Sequence, residues 1–307
     1  NTFFRLLAFV TVICLVGTSD AKPARQGAST VKNIEVVVHR GANYLAPENT
    51  VPSALKALEH GATWVELDVR KSKDGILYNL HDETLDRTTN GHGPIQMATS
   101  SEIDRLDAGA WFSPAFRGVK VPRIETMLDT LKGKAHVFFD VKKGTPVSEL
   151  VKLVRQKGFE QQSFFWFADA QMLSDFVKLA PEMKIKVNAS DVAGLKKWQE
   201  VCRPAYVEVD PEKITKEFTN YCRKNGILIM AAIQNGNEEA YKKAAQVRPD
   251  LVNIDQPELW QRVVAESNGK YVYDLPHYVD PRIGSEGLGR VFVGPSCPFG
   301  MVKPSPD

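Results

Sequence analysis

The chain has 307 residues, 43% hydrophobic and 25% charged: enough apolar material for one large core, and too little bias for a disordered, collagenous or multi-span membrane protein. Its 39 Lys and Arg against 37 Asp and Glu leave a formal charge of +2, so no bulk positive field exists to hold a nucleic-acid backbone, and any phosphate recognition must be local. Four cysteines, Cys14, Cys202, Cys222 and Cys297, are too few and too scattered for a disulfide-built scaffold or a thiolate metal site.

At the N-terminus, Arg5 precedes the uncharged run Leu6 to Val16, and small residues follow as far as Ala21. This pattern predicts a signal peptide over residues 1–21, too short for a span of roughly 20 apolar residues. The mature chain is expected to be secreted or periplasmic, with no stable membrane span. In an oxidising compartment Cys202 and Cys222 either pair or stay free.

From residue 33 to 264, short β-branched and aromatic runs alternate with amphipathic stretches. The strand candidates are 34–39, 63–69, 76–80, 135–141, 163–167, 184–188, 205–209, 227–233 and 251–254; helix candidates include 50–60, 147–157, 170–179, 211–224 and 238–246. Such alternation predicts a parallel sheet with crossover helices. The length and the lack of a Gly-rich fingerprint after the first strand favour an α/β fold of the (β/α)₈ TIM-barrel type over a doubly wound sheet. The strands exceed eight by one, and the link 71–75 reads as a hairpin turn, so either the barrel is distorted or one strand is an appendage. Between residues 84 and 121 a Gly-, Asp-, Thr- and Pro-rich insertion breaks the rhythm, as loops that build a substrate site on a barrel's C-terminal face do.

The chemistry-bearing residues gather at strand ends. The first strand ends in His39-Arg40-Gly41, and a loop carries Pro47-Glu48-Asn49-Thr50 into the first helix. On the second strand Glu66 and Asp68, two residues apart, share a face, as do Asp140 and Lys142 further on. A third candidate strand ends at His81-Asp82, followed by Arg87-Thr88-Thr89. Glu66, Asp68 and Asp140 gathered in one pocket would repel without a cation, and all-oxygen ligation suits one Mg²⁺ or Ca²⁺ rather than Zn²⁺. Arg40 and Lys142 can neutralise a phosphodiester, His39 and His81 can divide general-base and general-acid work, and Glu48 can orient a histidine or engage a substrate hydroxyl.

In this order and spacing, the motifs resemble the signature of the glycerophosphodiester phosphodiesterase family over about residues 33–264. The resemblance implies a barrel of the phosphatidylinositol-phospholipase-C-like type, a divalent metal, and hydrolysis of a small-molecule diester to glycerol 3-phosphate and an alcohol, in lipid metabolism. By the same carry-over, His39 and His81 are the acid–base pair, Arg40 the phosphate ligand, and Glu66 and Asp68 metal ligands. A neighbouring glycerol hydroxyl as nucleophile is a family option. Two positions depart: the family's Glu-x-Lys is Asp140-Val141-Lys142, similar to the spider-venom phospholipase D group, and its W-T-x-N, near the end of the last strand, is replaced by Ala231-Ala232-Ile233-Gln234-Asn235. Losing that Trp removes an apolar wall of the glycerol pocket and leaves a catalytically weak binding barrel as the alternative. Trp111-Phe112 of the insertion either cap the pocket or build the insertion's core. Beyond a linker from 265, Val279-Asp280-Pro281, Ile283-Gly284 and Pro298-Phe299-Gly300-Met301-Val302 resemble the opening of family-92 glycoside hydrolases, the calcium-dependent exo-α-mannosidases. This implies a truncated mannosidase domain and, with it, a phosphorylated glycan or glycolipid head group as an alternative diester.

Overall fold

The computed structural model describes residues 34–267. The expected signal peptide, His277 and the mannosidase-like segment lie outside the described residues. The last helix reaches Ser267, past the expected boundary at 264. Among the described residues no helix is long and apolar enough to cross a membrane.

In chain order the elements are β1 (Glu35–Val38), α1 (Val51–Glu59), β2 (Trp64–Lys71), β3 (Leu77–Asn79), α2 (Ser100–Ile103), α3 (Ile124–Leu131), β4 (His136–Val141), α4 (Val147–Lys157), β5 (Ser163–Phe167), α5 (Ala170–Leu179), β6 (Lys184–Asn188), α6 (Val192–Val201), β7 (Pro204–Val209), α7 (Lys216–Lys224), β8 (Leu228–Ile233), α8 (Glu238–Val247), β9 (Leu251–Ile254) and α9 (Pro257–Ser267). Eight strands are parallel and close on themselves in the order β1, β2, β4, β5, β6, β7, β8, β9, with β9 pairing back onto β1. The ninth candidate, β3, lies antiparallel on β2, pairing Asn79 with Val69. It is the appendage of the two possibilities, and the barrel closes without it. The expected helix over 211–224 divides into a single 3₁₀ turn, Pro211–Lys213, and α7, because the Thr215 side chain accepts the Phe218 N–H and starts a new helix there.

Period-two alternation sorts the strand residues. Outward-facing Val65, Leu67, Val69, Val137, Phe139, Val141, Phe165 and Ile185 are buried against the helices, each such side chain contributing about 1.5–3 kcal/mol by leaving water. Inward, Val37, Trp64, Phe138, Phe164, Tyr206, Met230 and Leu251 form an apolar plug, with Phe164 4.4 Å from Tyr206 and 4.8 Å from Trp64. Toward the C-terminal ends of the strands the inward positions include Glu66 and Asp68 on β2, Asp140 on β4, Lys186 on β6, Glu208 on β7 and Asn253 on β9. The plug therefore floors a charged mouth at the C-terminal end of the barrel, where catalytic barrels keep their sites.

The insertion has a core of its own. Tyr78, Leu80, Leu85, Ile95, Ile103, Ala108 and Val121 are buried together, and the Tyr78 hydroxyl donates to Asp104 at 2.7 Å. Trp111 is not among them and is 42% exposed. Cys202 and Cys222 are buried and free, and burial pushes both thiols up to about 11.

Candidate active site

The turn after β1 sets the site's geometry. Arg40 and Gly41 take consecutive left-handed conformations, φ 58° and 74°. A Cβ on Gly41 would lie 2.5 Å from the Ser53 hydroxyl and 2.8 Å from the Ser53 carbonyl carbon, so glycine lets α1 approach this turn. The turn aims the Arg40 N–H at Glu66 Oε2, 2.8 Å away, while Ser53 and Thr50 cap α1 reciprocally. Arg40 holds an uncommon backbone conformation for a non-glycine residue, as functional turns often do.

The carboxylates converge as expected. Glu66, Asp68 and Asp140 each place an oxygen within 4.8 Å of the others. Lys142 Nζ sits 2.7 Å from Asp68 Oδ1 and 2.9 Å from Asp140 Oδ2, and Asn49, at φ 58°, donates to Asp68 Oδ2 at 2.7 Å. One lysine does not balance three acids. Burial, then the charge of Asp68, raises both Glu66 and Asp140 above the ordinary carboxylate range; burial opposes ionisation of Asp68 too, but Lys142, His81 and the Asn49 hydrogen bond together prevail and lower it. Asp140 Oδ1 is buried without a hydrogen-bond partner. An all-oxygen, electron-rich, under-satisfied cluster of this kind fits a hard divalent cation.

Each histidine is held through Nδ1 by its own carboxylate. His39 lies 2.7 Å from Asp255 Oδ1, and Asp255, just beyond β9, also accepts from the Asn43 side chain at 2.8 Å and the Asn235 N–H at 2.6 Å. His81, just beyond β3, lies 2.8 Å from Asp82 Oδ1. With Nδ1 engaged, Nε2 is left as the ring nitrogen for proton transfer. Burial works against charging His39, but the Asp255 hydrogen bond and the charges of Glu66 and Asp255 prevail and raise it.

Glu48 orients neither histidine, contrary to one of its two expected roles. Its carboxylate takes both terminal nitrogens of Arg87 at 2.8 Å and Arg40 Nη1 at 3.2 Å, because the arginines outcompete the imidazoles for it. Burial alone would raise Glu48; Arg87 and then Arg40 hold it below the usual range. Its other expected role, engaging a substrate hydroxyl, stays open, since Glu48 lines the cavity described below; the arginine it holds, Arg40, has a buried Nε without a hydrogen-bond partner, 3.7 Å from Asp68.

A cavity of about 320 Å³ opens over His39, Arg40, Asn43, Glu48, Asn235 and Asp255, with Trp111 and Phe112 as its aromatic side. The insertion thus caps the pocket, one of the two roles open to this pair. The segment 231–235 ends β8, the seventh barrel strand rather than the last, and Gln234 turns inward to Glu208 at 2.8 Å. Sequence reasoning missed Asp255, Asn43, Asn49 and Asn235. Asp255 alone carried a signal, the period-two series Leu251, Asn253, Asp255. Among the described residues the remaining histidines play no part here: His60 caps α1, His92 is exposed beside Asp86, and His136 packs on Trp64.

A closed parallel barrel whose mouth gathers two carboxylate-held histidines, an arginine and three clustered acids is a phosphodiesterase scaffold. Residues 39–164, which hold all eight expected site residues, match the model of the glycerophosphoryl diester phosphodiesterase family. The glycerophosphodiester phosphodiesterase of Caldanaerobacter subterraneus is 31% identical over 231 residues, 73% of this chain and 94% of that protein. Among solved structures, a glycerophosphodiester phosphodiesterase from Agrobacterium tumefaciens aligns with a TM-score of 0.71 at 37% identity, over 74% of this chain and 99% of that one. A phosphodiesterase of Oleispira antarctica, solved with the product sn-glycerol-3-phosphate, aligns at 0.67 and 25% identity, over 75% of this chain and 96% of that one. The chain belongs to the glycerophosphodiester phosphodiesterase family and is a hydrolase.

Proposed function

We propose that the protein cleaves glycerophosphodiesters to glycerol 3-phosphate and an alcohol, using His39 and His81 as the acid–base pair and a divalent cation, Ca²⁺ or Mg²⁺, held by Glu66, Asp68 and Asp140. The observation that carries this reading is the flanking of one under-satisfied carboxylate cluster by two histidines, each fixed through Nδ1 by a separate carboxylate. The buried, unpaired oxygen of Asp140 adds to that support, because a carboxylate oxygen left without a partner among other acids suits a cation.

Arg40 and Lys142 bind the anionic diester, Arg40 being steered by Glu48 and Glu48 by Arg87. A bound divalent cation supplies neutralisation of the diester charge and of the charge that grows toward the transition state. One neutral imidazole accepts the attacking hydroxyl's proton at Nε2 while the other, protonated, delivers a proton to the departing alcohol oxygen. Asp255 and Asp82 stabilise whichever imidazole is charged. Trp111 and Phe112 shield the pocket from water. A weak binding barrel is disfavoured because both imidazole–carboxylate pairs are complete, and action after export is proposed on the leader expected over residues 1–21.

The test is product release by purified enzyme from glycerophosphocholine and glycerophosphoglycerol in Ca²⁺, Mg²⁺ or EDTA. Metal-dependent glycerol 3-phosphate, abolished in folded His39→Ala, is expected. Equal turnover in EDTA, or full activity of the variant, would overturn the proposal.

A further inference from the structure

A second cavity, of about 600 Å³, shares no lining residue with the one over His39. Arg70, Lys71, Lys142 and Lys143 line it, with Glu83 as its single acid. Lys142 is committed to Asp68 and Asp140. The other three cations are not. Lys71 ends β2 and Lys143 lies two residues beyond β4; these strands are neighbours, and the register that pairs Val69 with Val141 carries both lysines to one level. Among the described residues neither makes an ion pair, and Arg70 uses only Nε, donating to the His81 carbonyl at 2.9 Å. Like charges on neighbouring strands repel, and an anion between them removes the repulsion.

The cavity is also continuous with the chemistry. Lys142 belongs to both, and Arg70 is bonded to the backbone of the residue that can protonate a leaving group. We propose that this cleft receives the leaving alcohol, and that the alcohol it selects carries a second anionic group such as a phosphate monoester. The inference rests on the phosphodiesterase reading and assigns His81 the acid role. The attacking hydroxyl oxygen bonds to phosphorus and gives its proton to His39 as the bond from phosphorus to the leaving oxygen breaks; that oxygen keeps the electron pair and takes the His81 proton, and the second anionic group of the freed alcohol sits against Arg70, Lys71 and Lys143. A volume of about 600 Å³ is ample for a sugar-sized polyol with a phosphate.

Glycerophosphoinositol and glycerophosphoinositol 4-phosphate test it, because they share a leaving ring and differ by one phosphate. The wild-type enzyme is expected to favour the phosphorylated diester in kcat/KM by about ten-fold at low salt, and less as salt screens the lysines. In Lys71→Gln/Lys143→Gln the preference collapses to about one, while the rate on glycerophosphoinositol stays within about two-fold, as neither lysine touches the carboxylate cluster. Calorimetry with myo-inositol 4-phosphate and myo-inositol supplies a readout independent of turnover. Phosphate-dependent binding lost in the double variant supports the subsite even if neither diester is cleaved, a result that overturns only the catalytic reading. Equal rates on the two diesters, or binding indifferent to the phosphate or to both substitutions, overturns the subsite.

Discussion

Two buried charge clusters share the barrel mouth, and they are built to opposite rules. On the β6–β9 side Lys186 pairs with Glu208 and also donates to Asn188 at 2.8 Å; Glu208 Oε1 accepts from Gln234 at 2.8 Å and Asn253 at 2.9 Å. One cation meets one anion, both carboxylate oxygens are engaged, and Lys186 lies 5.1 and 5.5 Å over the Phe138 and Trp166 rings. Only Asn253 Oδ1 is left without a partner. On the β2–β4 side three acids share one lysine, and Asp140 Oδ1 and Arg40 Nε are orphaned. Both clusters cost desolvation. The satisfied one spends its charge on fixing the barrel, whereas the other is left with the surplus on which the proposed cation and diester binding rests. Satisfaction, rather than burial or charge, separates scaffold from chemistry here.

Substitutions should split along that line. Asp140→Asn is expected to lower kcat/KM by on the order of 10³-fold, comparable to losing a key electrostatic group, while leaving the denaturation midpoint unchanged or raised, since it relieves like-charge repulsion. Lys186→Met should do the reverse to stability: Glu208, left buried and unpaired, costs roughly 3–5 kcal/mol in a urea melt, and Lys186→Met/Glu208→Leu recovers most of it. A stable Lys186→Met would break the comparison.

Asp255→Asn comes next, with a loss of about 10²-fold in kcat/KM, the upper end of what removing a partner that orients a functional imidazole costs. Its pH dependence is the sharper readout. A His39 that acts as base must be neutral, so kcat/KM falls as pH drops through its raised pKa. The asparagine removes the hydrogen-bonded charge that opposes burial, and the acid limb moves to lower pH. The same pair contributes to stability in full below the unfolded imidazole value of about 6.5, and that contribution fades as pH rises through the higher folded value. An acid limb that stays in place would show that a different group sets it.

How much of this could be read from the chain follows the same physics. The barrel was legible because burial imposes a local periodicity, and the strand bounds 163–167, 184–188 and 251–254 agree with the structure to the residue. The eight candidate site residues could be picked out because they crowd four strand ends and one loop within residues 39–142. Asp255 was not, since it meets His39 only on closure of β9 against β1, a contact 216 residues apart in sequence. Asn49 carried no role of its own in the sequence and holds Asp68 in the fold, and of Glu48's two expected roles the one toward a histidine gives way to Arg87, which only the fold brings to it. The ninth strand was ambiguous because a hairpin and a barrel strand of this length carry the same alternation.

The smallest effect tests where the pocket gets its apolar wall. Every barrel and loop residue lining the cavity over His39 is polar or charged, and its aromatic side comes from the insertion alone. Trp111 donates Nε1 to the Ala108 carbonyl at 2.9 Å and meets Phe112 edge-on at 5.8 Å, so the indole is fixed to the insertion and not to the barrel. It therefore contributes binding area without touching the groups that transfer protons. Trp111→Ala is expected to raise KM for glycerol diesters by about five-fold, the worth of about 1 kcal/mol of apolar contact, with kcat within about two-fold and Trp111→Phe close to wild type. A fall in kcat at constant KM would instead place the indole among the groups that shape the transition state, and the insertion would then belong with the unsatisfied cluster rather than serve as its roof.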